Sequence, residues 1–254
     1  MQRPGGGASD ELQFITPRLI LCTGASPTTH RLPVSNLNIQ ELDLDVVLKP
    51  SDLVSNIPRN QPQTVAVVGA SHSAILALLN LLDLVHSTHP QLRIKWFTRH
   101  ALRYAEPKDG WILRDNTGLK GQAAEFARQQ LEDETLPTSE AGRYITKVDC
   151  SGGPQREQAQ MASQLPSCSQ IVQAVGFTPD PLPELSLNGY PLENPEFNNE
   201  SGGFHVKENG RVIRGLFGAG IAFPERVVDP YGNVEYAVGF WKFMKFLQRV
   251  VPQW

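Results

Sequence analysis

The sequence predicts an α/β protein, and three observations carry that reading. An apolar run, "TVAVV" (Thr64 to Val68), passes through a turn of small residues into an Ala/Leu-rich stretch with helical spacing. A second apolar run, "LRIKWFTRH", follows at the distance a right-handed crossover to a parallel neighbour requires, so the two runs and the helix between them form a βαβ unit. Further strand-like runs end in glycine at "IVQAVGF" and "RVIRGLFGAG".

The elements follow in chain order. "LQFITPRLILC", Leu12 to Cys22, reads as a strand stopped by Gly24 and Pro27, and a loop with Pro33 comes next. "LDLDVVLKPSDL" suggests a short strand and a turn, and "NIPRNQPQ" is a polar lead-in to the strand at Thr64. Beyond Ser71, the residues Ile75, Leu78, Leu79, Leu82 and Val85 mark one face of a helix that stops before Pro90. Gly121 to Leu131 is expected to be helical, with "DETLPTSEAG" a polar break after it. "SGGPQREQAQMASQLPS" has few large apolar residues and reads as a surface excursion. "CSQIVQAVGFTPDPLP" is a strand ending at Gly176, "RVIRGLFGAGIAFPE" a strand into a glycine-rich turn, and Val234 to Val251 carries a helical apolar face.

Composition narrows the function classes. With 254 residues, 40% hydrophobic and 19% charged, the chain can bury a sizeable core in one domain or two. A formal net charge of -3 gives no polybasic character, so no nucleic acid partner is expected. The longest apolar stretch, Ala74 to Val85, is interrupted by Asn80 and Asp83 and falls short of the roughly 20 residues of a spanning helix, so no membrane segment is expected. The opening "MQRPGGGASDE" lacks the apolar core of a secretory signal, which makes a cytoplasmic location the default expectation. Cys22, Cys150 and Cys168 are too widely spaced for a disulfide framework, a C-x-x-C redox pair or a zinc site, and no metal is expected.

The turn after Val68 admits two chemistries. Gly69-x-Ser71-x-x-Ala74 is a loosened G-x-G-x-x-G/A loop, in which backbone amides and a helix N-terminus meet a pyrophosphate. Gly69-x-Ser71-x-Ser73 is close to the nucleophile elbow of a hydrolase, with Asp180 and His205 available later as acid and base. A plain strand-to-helix connection is the bland alternative. Arg99, at the end of the second strand, suits the 2'-phosphate of NADP, where NAD-binding proteins place a carboxylate. His72 lies within the loop on the phosphate side, while His100 shows no metal-ligand pattern.

The order of four motifs resembles a known family, the FAD/NAD(P)-binding oxidoreductases of flavin-containing and N-hydroxylating monooxygenase type. "LILCTGASPTTHRLP" resembles the strand and turn where the chain leaves the FAD domain, and "VAVVGASHSA" the NADPH loop. "IVQAVGFTPD" resembles the return, and "GLFGAGIAFPE" the closing FAD-facing strand. The resemblance implies a Rossmann-like NADP-binding domain, residues 60–170, inserted in a partial FAD-domain-like α/β layer formed by residues 1–35 and 171–254 with a C-terminal helix. It implies that Gly69, Ala70, Ser71, His72, Ser73, Ala74 and Arg99 face NADP(H), and that Thr23, Gly24, Gly176 and Gly220 line part of a flavin site. Hydride would pass from NADPH to FAD and onward to oxygen or a small-molecule substrate, and no catalytic side chain is assigned. The family's first FAD loop would precede "LILCTG" and is not matched, and Ile221 stands where many relatives place Asp. FAD binding by this chain alone is therefore expected to be incomplete, with self-association or a partner chain covering the open sheet edge. A non-redox binding or scaffold module that keeps the nucleotide fold is the competing class. In the stretch "RYAEPKDGWILRDNTGLKG", Asp109, Trp111 and Asp115 read as loop and packing residues.

Overall fold

The structure, a computed structural model, describes residues 15–34, 38–59 and 61–254. Its elements in chain order are β1 (Leu19–Leu21), β2 (Ala25–Pro27), β3 (Gln40–Leu42), α1 (Leu44–Val47), α2 (Pro50–Asn56), β4 (Gln63–Val68), α3 (His72–Ser87), β5 (Leu92–Thr98), β6 (Glu106–Lys108) and β7 (Trp111–Leu113). Then come α4 (Gly121–Phe126), β8 (Ile145–Asp149), α5 (Pro154–Gln164), β9 (Gln170–Gln173), β10 (Phe177–Pro179), β11 (Ser186–Leu187), β12 (Tyr190–Pro191) and β13 (Pro195–Phe197). β14 (Gly203–Val206), β15 (Val212–Gly218), β16 (Glu225–Val228), β17 (Val234–Ala237) and α6 (Phe240–Val250) complete the chain. It divides into two compact units, one of Ala25–Asp180 with Val227–Ala237, the other of Met1–Gly24, Pro181–Arg226 and Val238–Trp254.

The larger unit is built on a five-stranded sheet in the order β3-β9-β4-β5-β8, parallel at every pairing. Its central strand β4 is apolar on both faces because both faces are covered. Val65, Val67, Ile94 and Trp96 pack against Ile75, Leu78 and Leu81 of α3 on one face. The alternate residues Ala66 and Val68 pack with Val148, Ile171 and Met161 on the other, Met161 coming from α5. From β4 the chain winds through β5 to β8 on one side, then returns through α5 to β9 on the other. The winding direction therefore reverses between β4 and β9.

Several local expectations give way here. Over residues 44–56 two short helices replace the expected strand and turn, the first capped by Asp43, whose carboxylate accepts from the Asp45 amide at 2.8 Å, the second opened by Pro50. The expected surface excursion at residues 151–167 is the helix α5, anchored by buried Met161 and followed by buried Leu165. Strand β8 had no counterpart in the sequence reading. The final helix begins at Phe240, not Val234, because Val234–Ala237 pairs with β16 as a hairpin. Of the first expected strand, Leu12 to Phe14 lie outside the described residues, and only Leu19–Leu21 is a strand.

The smaller unit carries a four-stranded sheet in the order β1-β15-β14-β13, in which β1 and β15 are parallel. Phe197, Phe204 and Phe223 meet at centroid separations of 5.0 to 5.4 Å in its core. Trp254 stacks on Phe217 at 4.3 Å.

Candidate nucleotide site

A cavity of about 300 Å³ opens at the carboxyl ends of β4, β5, β8 and β9, all within the larger unit. In open parallel sheets this end, at the point where the winding reverses, is where ligands bind. Residues 68–71 form one wall, residues 174–176 the next, and Arg99, His100 and Arg103 another.

Gly69 fixes the first wall. Its amide donates to the Phe97 carbonyl at 3.0 Å, and its carbonyl accepts from Trp96 Nε1 at 2.7 Å. Its φ is +132°, and a Cβ there would stand 2.3 Å from the Ala174 carbonyl oxygen and 3.3 Å from Ala74 Cβ. Only glycine permits β4 to end this close to the chain leaving β9. Ala70 and Ser71 also line the cavity, and Ser71 is the N-cap of the 16-residue helix α3. Its hydroxyl makes no capping bond and no acidic residue occupies the first turn, so the positive end of the helix meets the cavity without a carboxylate of its own beside it. His72, Ser73 and Ala74 form the first turn of α3 but do not line the cavity. The His72 imidazole is held below its ordinary pKa, by desolvation first and by the nearby Lys120 charge second.

Arg99 follows β5 directly. The segment is held by Thr98, whose buried hydroxyl donates to the His100 carbonyl at 2.7 Å. Arg99 Nη1 lies 3.8 Å from Glu157 Oε2 on α5, and Glu157 lines the same cavity. Sequence reasoning found Arg99 but missed Arg103 and Glu157. The second could have been found, since Gly153-Pro154 is a helix-start signal that puts Glu157 in the first turn. Buried Cys150 also lines the cavity, and its thiol is pushed up to about 11 by burial first, then by the Glu157 and Asp149 carboxylates. It is a neutral thiol at neutral pH and no nucleophile.

Gly176 belongs to this unit and lines the cavity, with φ +131° and nothing within 4 Å of an added Cβ. Thr23, Gly24 and Gly220 belong to the smaller unit. There the parallel register of Leu21 with Gly218 brings the turns after β1 and β15 to one end of the sheet. Among the described residues, the Thr23 hydroxyl is buried there without a hydrogen-bond partner, and nothing lies within 4 Å of a Cβ added at Gly220, φ +87°. Ile221 follows, partly exposed.

The acid and base of the hydrolase reading are engaged elsewhere. Asp180 accepts from the Ser26 hydroxyl at 2.6 Å, and His205 Nε2 lies 3.2 Å from the Glu196 carboxylate. Trp111 meets Tyr231 edge to face at 5.0 Å, and Asp115 pairs with Lys120, so Trp111 and Asp115 pack as expected. Among the described residues, no group of three or more His, Cys, Asp or Glu could hold a metal ion, and no helix is long and apolar enough to cross a membrane.

The fold and site define an α/β protein whose larger unit has a parallel sheet, with a cavity lined by Arg99, Arg103 and Glu157 at the point where that sheet reverses direction. No protein-family model matches the chain. It is 71% identical over 245 residues, 96% of its length, to the monooxygenase AgnR1 of Paecilomyces divaricatus. The chain is a homologue of that monooxygenase, and it spans 62% of the length of this curated relative. Two solved structures resemble it loosely. One is an FAD-dependent pyridine nucleotide-disulphide oxidoreductase from Desulfovibrio vulgaris, with TM-score 0.45 and 11% identity, covering 91% of this chain and 52% of the other. The second is DfoA bound to FAD, the cadaverine monooxygenase from Erwinia amylovora, with TM-score 0.25 and 14% identity, covering 91% of this chain and 47% of the other.

Proposed function

We propose that the larger unit binds NADPH and that the chain serves a flavin-dependent monooxygenase reaction on a small-molecule substrate. The observation that carries this reading is the meeting, in one cavity, of the Gly69–Ser71 turn at the N-terminus of α3 with Arg99 and Arg103. Ala70 and Ser71 would take the pyrophosphate through amides and hydroxyl, and Arg99 the adenosine 2'-phosphate by a charge-assisted bond. Held by these residues, NADPH would supply a hydride whose electrons a flavin would pass to oxygen. The Thr23 hydroxyl, without a partner among the described residues, and the open backbone at Gly220 are what a flavin polar edge would need. The NADP unit is, on this reading, an insertion in a partial FAD-type layer. The chain works in the cytoplasm and self-associates or meets a partner chain, a reading supported by Phe240 and Trp241 of α6, which are exposed by 69% and 75%.

The test is isothermal titration with NADPH and NADH, for the parent chain and Arg99→Ser. The parent should prefer NADPH, and the substitution should remove roughly 1.5 to 3 kcal/mol of NADPH binding while leaving NADH unchanged. Equal affinity of the parent for the two nucleotides would remove the basis of the assignment.

A further inference from the structure

Glu157 is a misplaced charge for a cavity that takes a phosphate. It projects from the first turn of α5 into the same space as Arg99 and Arg103, and its side chain is only 22% exposed, against 52% for Arg99. Its contact with Arg99 is a single loose approach at 3.8 Å, not a bidentate pair. Glu157 lines the cavity together with Cys150, and its charge adds to burial in pushing that thiol up. A phosphate arriving at Arg99 must therefore draw the guanidinium away from a half-buried carboxylate and sit beside that carboxylate's charge.

We propose that Glu157 is a specificity-determining residue of this cavity, which competes with the adenosine 2'-phosphate for Arg99 and so moderates the preference for NADPH over NADH. The inference rests on the NADPH reading above. A ribose carrying a free 2'-hydroxyl meets no such opposition, because a carboxylate can accept its hydrogen bond. The wild-type chain thus keeps a smaller discrimination than Arg99 and Arg103 alone would give.

The experiment titrates 2',5'-ADP and 5'-AMP into the parent chain, Glu157→Gln and Arg99→Ser, with thermal unfolding recorded for each. Glu157→Gln should bind 2',5'-ADP roughly fivefold more tightly or better, with 5'-AMP unchanged or weaker. Unchanged or weakened 2',5'-ADP binding in that variant, at unaltered melting temperature, overturns the proposal and makes Glu157 a positioning residue for Arg99 or a bystander. Should Glu157→Gln fail to fold, Glu157→Asp decides, because a retracted carboxylate must also tighten 2',5'-ADP binding. If the parent chain does not prefer 2',5'-ADP, the NADPH reading falls and this inference with it. If it does prefer 2',5'-ADP and Glu157→Gln brings no gain, this inference alone falls.

Discussion

Gly69 and Gly176 have nearly the same φ in opposite surroundings, and replacing each by alanine separates strain from collision. At Gly69, with φ +132°, the new methyl would stand 2.3 Å from the Ala174 carbonyl oxygen and 3.0 Å from its carbon. At Gly176, with φ +131°, it would meet nothing within 4 Å. Both substitutions carry the strain of a side chain in that region, about 1 to 3 kcal/mol. Gly69→Ala must in addition push β4 from the chain leaving β9. That endangers the Ala174 amide bond to the Val68 carbonyl, now 2.8 Å, for a further loss of about 1 to 2 kcal/mol. Urea denaturation followed by far-ultraviolet circular dichroism should therefore show Gly69→Ala less stable than Gly176→Ala by about that difference. Equal losses would refute the argument that the glycine is there for close approach of the two segments.

The thiols give a second expectation. Exposed Cys22 should react with iodoacetamide at pH 8 while buried Cys150 and Cys168, both held protonated by burial, stay unmodified until the chain unfolds, as peptide mass spectrometry would show. Stability should also fall as pH rises from the ordinary thiol value of 9.0 toward about 11, because in that window the unfolded chain has lost the Cys150 proton and the folded chain keeps it. A Cys150→Ser variant should lose that part of the dependence in urea titrations at several pH values. On α6, replacing exposed Phe240 and Trp241 by serine should lower the sedimentation coefficient at high protein concentration, and an unchanged monomer in both chains would remove α6 as the contact.

The sequence was most legible where periodicity and burial agree. β4, α3 and β5 are long, apolar and bounded by glycine or proline, and their parallel pairing followed from spacing alone. β8 was illegible because "ITKVD" buries only Ile145 and Val148, as befits a strand at the edge of the sheet. α5 was misread for a related reason, since it is anchored to its face of the sheet by few apolar side chains, and Met161 is its only buried residue. The β17 hairpin strand carries a valine and an alanine that fit the period of the following helix as well as that of a strand, and pairing with β16 decides between them. Arg99 was found because it is adjacent in sequence to a strong strand. Glu157 approaches it only through the packing of α5.

A crystal structure of the chain with NADP⁺ tests the central claim most directly. The account predicts the 2'-phosphate within hydrogen-bond reach of the Arg99 guanidinium and the pyrophosphate against the amides of Ala70 and Ser71, in the cavity at the carboxyl ends of β4, β5 and β9. A nucleotide bound elsewhere, or one seated there with its 2'-phosphate turned away from Arg99 and Arg103, would contradict it.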